Sequence, residues 1–168
     1  MAAVPFEGEA ADWLRRFKYP EPGLFGLDPA AEAIAAVLIQ EAGRWAAGAR
    51  PELVVPVPLH RVRLRQRGFN PAGLLANALA CELGLRVDPL ALTRIRNTPT
   101  QTRLSRSQRA KNVSEAFRAR HRKLPDRVWL VDDVVTTGST LREAARALQR
   151  AGAEQIVAVC AARTSELR

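Results

Sequence analysis

The chain has 168 residues, 47% of them apolar, which suffices for one domain with a substantial core and is short for two. That apolar share excludes a disordered chain, and no apolar run reaches the roughly 18 residues that a membrane helix needs. The first residues lack the basic-then-apolar order of a secretory signal, so the cytoplasm is the expected compartment, and the net charge of +9 points to an anionic partner.

Residues 9–18 form an expected short helix with Trp13, Leu14 and Phe17 on one side. A Pro20-Glu21-Pro22-Gly23 link follows, and Asp28-Pro29 supplies an N-cap with proline at the first helical position. That second helix runs to about Ala47, burying Ile34, Val37, Leu38 and Trp45, with Gly48 ending it. Residues 53–57 read as a strand whose Pro56 makes it leave regular pairing early. Asn70-Pro71 opens a further helix, with Leu74, Leu75, Ala78 and Leu79 inward and Gly84 as terminator. Residues 93–112 are polar and aperiodic, a long loop that is in part hairpin. Strands are expected around 115–120, 128–131 and 155–161. Strand and helix alternate from residue 52 onward, which implies an α/β fold with a mostly parallel sheet and right-handed crossovers. Cys81 and Cys160 belong to no Cys-x-x-Cys pair, so no zinc site is expected and both read as small buried hydrophobes.

The charge is local. Residues 94–123 hold ten basic side chains against one acid, Glu115, and Arg61, Arg63, Arg65 and Arg67 add a further +4. The remainder of the chain therefore sums to −4, the pattern of an anion-binding face.

Residues 128–140 are the most informative stretch. Four apolar residues, Val128 to Val131, suit a strand buried on both faces, and Asp132 and Asp133 follow where it is expected to end. Thr136-Thr137-Gly138-Ser139-Thr140 then runs into an amphipathic helix with Leu141, Ala144, Ala145, Leu148 and Ala151 on one face. A helix N-terminus beyond a parallel strand suits a phosphate, and the adjacent acids suit sugar hydroxyls or a hydrated magnesium ion. Together they make a sugar-phosphate site. Thr140-Leu141-Arg142-Glu143 also fits a capping box, in which the hydroxyls merely start the helix. Capping gives no reason for two carboxylates closing a buried strand.

This segment resembles the 5-phosphoribosyl 1-pyrophosphate (PRPP) signature of type I phosphoribosyltransferases. More narrowly, the chain is similar to the ComF group of phosphoribosyltransferase-like proteins. The likeness is carried by Val55-Pro56-Val57-Pro58-Leu59-His60 running on to Arg67-Gly68-Phe69-Asn70, and by Thr98, Gln101, Leu104, Arg109, Asn112 and Phe117 together with the signature. Lys18-Tyr19-Pro20 resembles the group's region ahead of the core. Many ComF-like proteins carry a cysteine-rich zinc module there; this sequence has none, and that module's role is not carried over.

The resemblance implies a type I phosphoribosyltransferase fold, with residues 1–50 as a small helical hood and 51–168 as one compact core. It implies that Thr136, Thr137, Gly138, Ser139 and Thr140 hold the 5-phosphate. Asp132 and Asp133 would take the ribose hydroxyls, one of them touching Mg2+ through water. Leu59, His60 and Arg61, with Arg65 nearby, resemble the pyrophosphate loop. Residues 96–112 resemble the flexible loop that closes over PRPP, bringing Arg103, Arg109 or Lys111 to the departing pyrophosphate, with Arg109 and Asn112 on motif positions. The implied catalytic set is Asp132, Asp133, Arg109 and Lys111. Nothing in residues 1–50 spells out the nitrogen acceptor.

Two other functions fit the same residues. ComF-like proteins are associated with natural competence and uptake of single-stranded DNA. Arg61, Arg63, Arg65, Arg67, Arg103, Arg106 and Arg109 would supply the electrostatic attraction for such a strand, although only Phe69 and Phe117 interleave for base stacking. Competence proteins are then expected partners. The third is a PRPP-sensing regulator in which loop closure signals to another protein, with oligomerisation left open.

Overall fold

The computed structural model describes residues 2–18, 29–46, 50–97 and 115–164. In chain order they form β1 (Ala2–Pro5), α1 (Gly8–Lys18), α2 (Pro29–Ala46), β2 (Leu53–Pro56), α3 (Arg61–Arg67) and α4 (Pro71–Leu83). There follow β3 (Leu92–Arg94), β4 (Phe117–Ala119), β5 (Arg127–Val135), α5 (Ser139–Gln149) and β6 (Gln155–Arg163). The main sheet is parallel throughout, in the order β1-β6-β5-β2. β3 and β4 pair antiparallel as a separate ribbon. The expected α/β architecture is therefore present; β3 and β4 flank the expected long loop, and most of the 93–112 segment in which a hairpin is expected lies outside the described residues.

The apolar run of β5 is buried on both faces because helices cover both. Val128 and Leu130 join Leu141, Ala144 and Leu148 of α5, while Trp129 and Val131 join Leu14, Leu38, Leu75 and Leu79 of α1, α2 and α4. Trp129, only 2% exposed, anchors that second layer. Burial of each large apolar side chain contributes about 1.5–3 kcal/mol.

Several expectations need correction. Pro56 does not break pairing: it sits opposite Val131, and Val57 still donates its N–H to the Val131 carbonyl at 2.8 Å. Val54 sends its N–H outward to Arg86 at 2.8 Å, and Pro56, two residues on, faces the same outer edge. Its missing N–H therefore removes no ladder bond. In α4 the buried stripe is Ala72, Leu75, Ala76, Leu79 and Ala80, which leaves Leu74 outside it and 44% exposed. Cys81 falls off the same stripe and is exposed, whereas Cys160 is buried. Val37 and Trp45 of α2 are half-buried, and β4 is shorter than expected. The capping position Asp28, the Ala47-Gly48 helix end and the Trp13 and Phe17 side chains lie outside what is described.

The helices following β2 and β5 lie on opposite faces of the sheet, α4 with Trp129 and α5 with Leu130. A crevice opens between adjacent strand ends where the chain departs in opposite directions, and ligands of open α/β sheets bind there. Among the described residues, no helix is long and apolar enough to cross a membrane.

Candidate functional site

The acid pair lies inside β5 rather than beyond it. β6 continues alongside, so Val134 and Val135 keep partners in Ala162 and Arg163. Asp132 lies opposite Cys160 in that ladder. Its Oδ1 accepts the N–H of Asp133 at 2.9 Å, and Asp133 Oδ1 accepts the N–H of Val134 at 2.7 Å. The other oxygen of Asp133, Oδ2, meets Lys18 Nζ at 3.0 Å. Burial, and then the charge of Asp133, push the Asp132 carboxyl well above the usual carboxylate range; the Asp133 N–H and the Lys18 ammonium pull it back. Burial likewise pushes the Cys160 thiol up, which leaves it an inert core residue.

After β5 the chain turns at Gly138, whose φ of 71° is left-handed and suits a residue without Cβ. Gly138 is itself the N-cap of α5 and offers no side-chain bond, so the Thr140–Glu143 capping box does not form. Glu143 is buried instead and accepts the N–H of Glu115 at 3.1 Å while pairing with Arg146. The first turn of α5 carries no acid. Thr137 Oγ1 and Ser139 Oγ stand 2.9 Å apart, and Ser139 N–H leans on Thr137 Oγ1 at 3.5 Å, too long for a strong cap. Arg142 reaches back from the next turn, donating from Nη2 to the Thr137 carbonyl at 2.9 Å and to Ser139 Oγ at 3.3 Å. Clustered hydroxyls, the N–H groups that begin a helix and a guanidinium are a chemical fit for a phosphate.

The neighbouring strand end contributes a helix that the sequence did not announce. α3 is capped by His60, whose Nδ1 accepts the N–H of Val62 at 3.3 Å, and it contains no buried residue. Leu59, His60 and Arg61 therefore do follow the end of β2, whose last residue Pro56 pairs with Val131 just ahead of the acid pair, with His60 engaged in capping. Arg61 and Arg65 are exposed; Arg63 and Arg67 are half-buried. A groove of about 660 Å3 runs here, lined by Pro58, Leu59, His60, Arg61, Leu64 and Arg94 among others. Arg94 of the ribbon is only 9% exposed and its guanidinium lies 5.4 Å from the Phe117 ring centroid. Burial and then the nearby Arg63 lower its pKa, while the charge of Asp132 pulls it back up.

Asp132, Asp133, Thr136, Thr137, Gly138, Ser139 and Thr140 are thus contiguous, with Leu59, His60 and Arg61 on the adjoining strand end. Arg103, Arg106, Arg109 and Lys111, with Thr98, Gln101, Leu104 and Asn112, lie outside the described residues. Ile95 N–H bonds to the Ala116 carbonyl at 2.8 Å, holding together the base from which that segment departs. Sequence reasoning assigned no site role to Lys18, Arg94 or Arg142. Lys18 stood in a motif without a role, Arg94 was one cation among many, and Arg142 was absorbed by the capping pattern.

Among the described residues, no group of three or more His, Cys, Asp or Glu could hold a metal ion. A divalent cation here would rest on one or two carboxylates and on oxygens of the ligand, the habit of Mg2+.

The family model described as "Phosphoribosyl transferase domain" matches residues 29–168. The chain is 42% identical over 137 residues to the DNA utilization protein YhgH of Salmonella typhimurium, covering 80% of this chain and 60% of that protein. It is 36% identical over 146 residues to Competence protein F of Haemophilus influenzae, covering 85% of this chain and 63% of that one. The chain thus spans less than two thirds of the length of these relatives, and the likeness to ComF drawn from its motifs is borne out. Among solved structures, the allosteric regulatory enzyme of purine biosynthesis superposes on 89% of this chain and 30% of its own, at 19% identity and a TM-score of 0.55, a likeness of fold alone. The chain has the type I phosphoribosyltransferase fold and belongs to the phosphoribosyl transferase domain family.

Proposed function

We propose that the chain binds PRPP with its magnesium ion at the end of β5 and transfers the phosphoribosyl group to a nitrogen acceptor. One observation supports this reading: a carboxylate pair and a hydroxyl-rich, acid-free helix start, joined by a left-handed glycine, at the crevice between β5 and β2. Thr136, Thr137, Ser139 and Thr140 with the N–H groups of 137–140 hold the 5-phosphate. Asp132 and Asp133 accept the ribose 2- and 3-hydroxyls. Leu59, His60 and Arg61 face the pyrophosphate, and Arg109 and Lys111 come from the 96–112 loop on closure. Residues 1–50 act as the hood over a core of 51–168.

In the reaction the acceptor nitrogen forms a bond to the anomeric carbon as the carbon–oxygen bond to pyrophosphate breaks. The electron pair leaves with pyrophosphate, and the proton on nitrogen is released. Positive charge builds on the ribose beside the acid pair, and negative charge builds on the leaving group beside the basic loop. Substrate-bound Mg2+ supplies cationic charge to the phosphate oxygens. Pyrophosphate release from PRPP and Mg2+ with a panel of purine, pyrimidine and amine acceptors tests transfer. PRPP binding with no release for any acceptor would leave the sensing role and remove the catalytic one.

A second function, single-stranded DNA binding, is favoured by α3. Its seven residues include four arginines and no acid, and none is buried. A helix with no buried face is suited to an external partner, and relatives carry names that refer to DNA utilization and competence. Salt dependence of strand binding tests it, since affinity indifferent to ionic strength would exclude phosphate contacts.

A further inference from the structure

We propose that Lys18 is a positioning residue for the sugar site, the hood's own contribution to holding Asp133; this deepens the PRPP reading and rests on it. Lys18 is the last residue of α1, and α1 is fixed over the sheet by Leu14, buried in the cluster that also holds Trp129 and Val131. The lysine stem therefore starts above the carboxyl half of β5. Its ammonium reaches Asp133 Oδ2 at 3.0 Å, with the two side chains 25% and 14% exposed. By contrast, Arg15 of the same turn meets Asp12 at 2.7 Å with both side chains about two-thirds exposed, 68% and 69%. A part-buried pair is screened less than that surface pair and so holds its geometry better.

The choice of residue supports a placed contact. Among 26 basic side chains only three, Lys18, Lys111 and Lys123, are lysines. One of the three stands at the acid pair, where a compact ammonium on a long stem fits and a planar guanidinium would demand more room. The carbonyl end of α1 also favours a cation. Asp133 uses Oδ1 for the Val134 N–H, so Lys18 fixes the second oxygen and with it the carboxylate plane. An ionised oxygen accepts more than one hydrogen bond. A sugar hydroxyl and Lys18 therefore share Oδ2 without competing, and hood position becomes coupled to sugar binding.

The test is a double-mutant cycle on PRPP affinity in Mg2+ by calorimetry, with Lys18→Met, Asp133→Asn, the double variant and Lys18→Arg. Lys18→Met should weaken binding about tenfold, the scale of one charge-assisted hydrogen bond. The double variant should bind no worse than the weaker single one, and Lys18→Arg, which keeps the charge but needs more room, should recover only part of the affinity. Full affinity in Lys18→Met, or additive losses in the double variant, overturns the proposal while leaving the PRPP reading intact. A wild-type chain that does not bind PRPP overturns both. If Lys18→Met fails to fold, Lys18→Gln takes its place in the cycle, with the same non-additivity expected.

Discussion

Replacing Gly138 by alanine isolates the turn that shapes the phosphate loop. At φ of 71° an alanine costs about 1–2 kcal/mol from the clash of Cβ with its own backbone. The added Cβ would also lie 3.3 Å from Arg142 Nη1. Arg142 is exposed and can swing away, but it then gives up its 2.9 Å bond to the Thr137 carbonyl. In a chain of this size the backbone cost corresponds to a melting temperature lower by about 2–8 °C. If the free loop relaxes to negative φ, the ligand must restore the turn, and PRPP affinity falls about 5- to 30-fold. Gly152→Ala is the control. Its φ of 101° lies past the far end of α5, with Cβ 3.8 Å from the Leu124 backbone, so it should lower the melting temperature without changing affinity. Calorimetry with differential scanning reads both quantities. Full PRPP affinity in Gly138→Ala, or an equal loss in Gly152→Ala, would refute the phosphate-loop assignment.

Further outcomes follow from the same geometry. Asp132 has its carboxyl raised in the folded chain, so its stabilising effect is complete below about pH 4 and is lost as pH rises through the raised value. Urea midpoints from about pH 5 to about pH 8 should therefore fall more steeply for the wild type than for Asp132→Asn, and parallel curves would contradict the shift. Sugar hydroxyls favour the ionised acid, so PRPP binding should release protons near neutrality, seen as a heat that varies with buffer ionisation enthalpy; a buffer-independent heat would argue against it. If α3 binds single-stranded DNA, Arg61→Ala with Arg65→Ala should reduce the salt slope by about 0.7 per lost phosphate contact, and an unchanged slope would place the strand elsewhere. Cys81 should react with a thiol reagent in the native state and Cys160 only on unfolding; equal rates would be inconsistent with the fold.

Much of this site was legible because it is contiguous. The apolar run 128–131, the acid pair and the Thr-Gly-Ser turn are adjacent in the chain, and strand and helix periodicity place them at one strand end. What was not legible depends on neighbours remote in sequence. β5 runs on to Val135 only because β6 reaches Arg163 beside it. The capping box fails because the helix begins two residues early, with Gly138 as N-cap, and Glu143 instead accepts the N–H of Glu115. Pro56 is harmless because its N–H side is an edge, a fact of sheet order. α3 has a polar, aperiodic sequence and is held by a histidine cap and a left-handed Gly68 rather than by an apolar face. Lys18 meets an aspartate more than a hundred residues away, and no local pattern reports such a contact.

The central claim is that a phosphorylated pentose is gripped by Asp132 and Asp133 against the start of α5. Calorimetric titration of PRPP with Mg2+ into the wild type and into the Asp132→Asn, Asp133→Asn double variant tests it most directly. Saturable binding to one site per chain in the wild type, lost in the folded variant, is the predicted result. Equal binding by both, or none by the wild type, would contradict it.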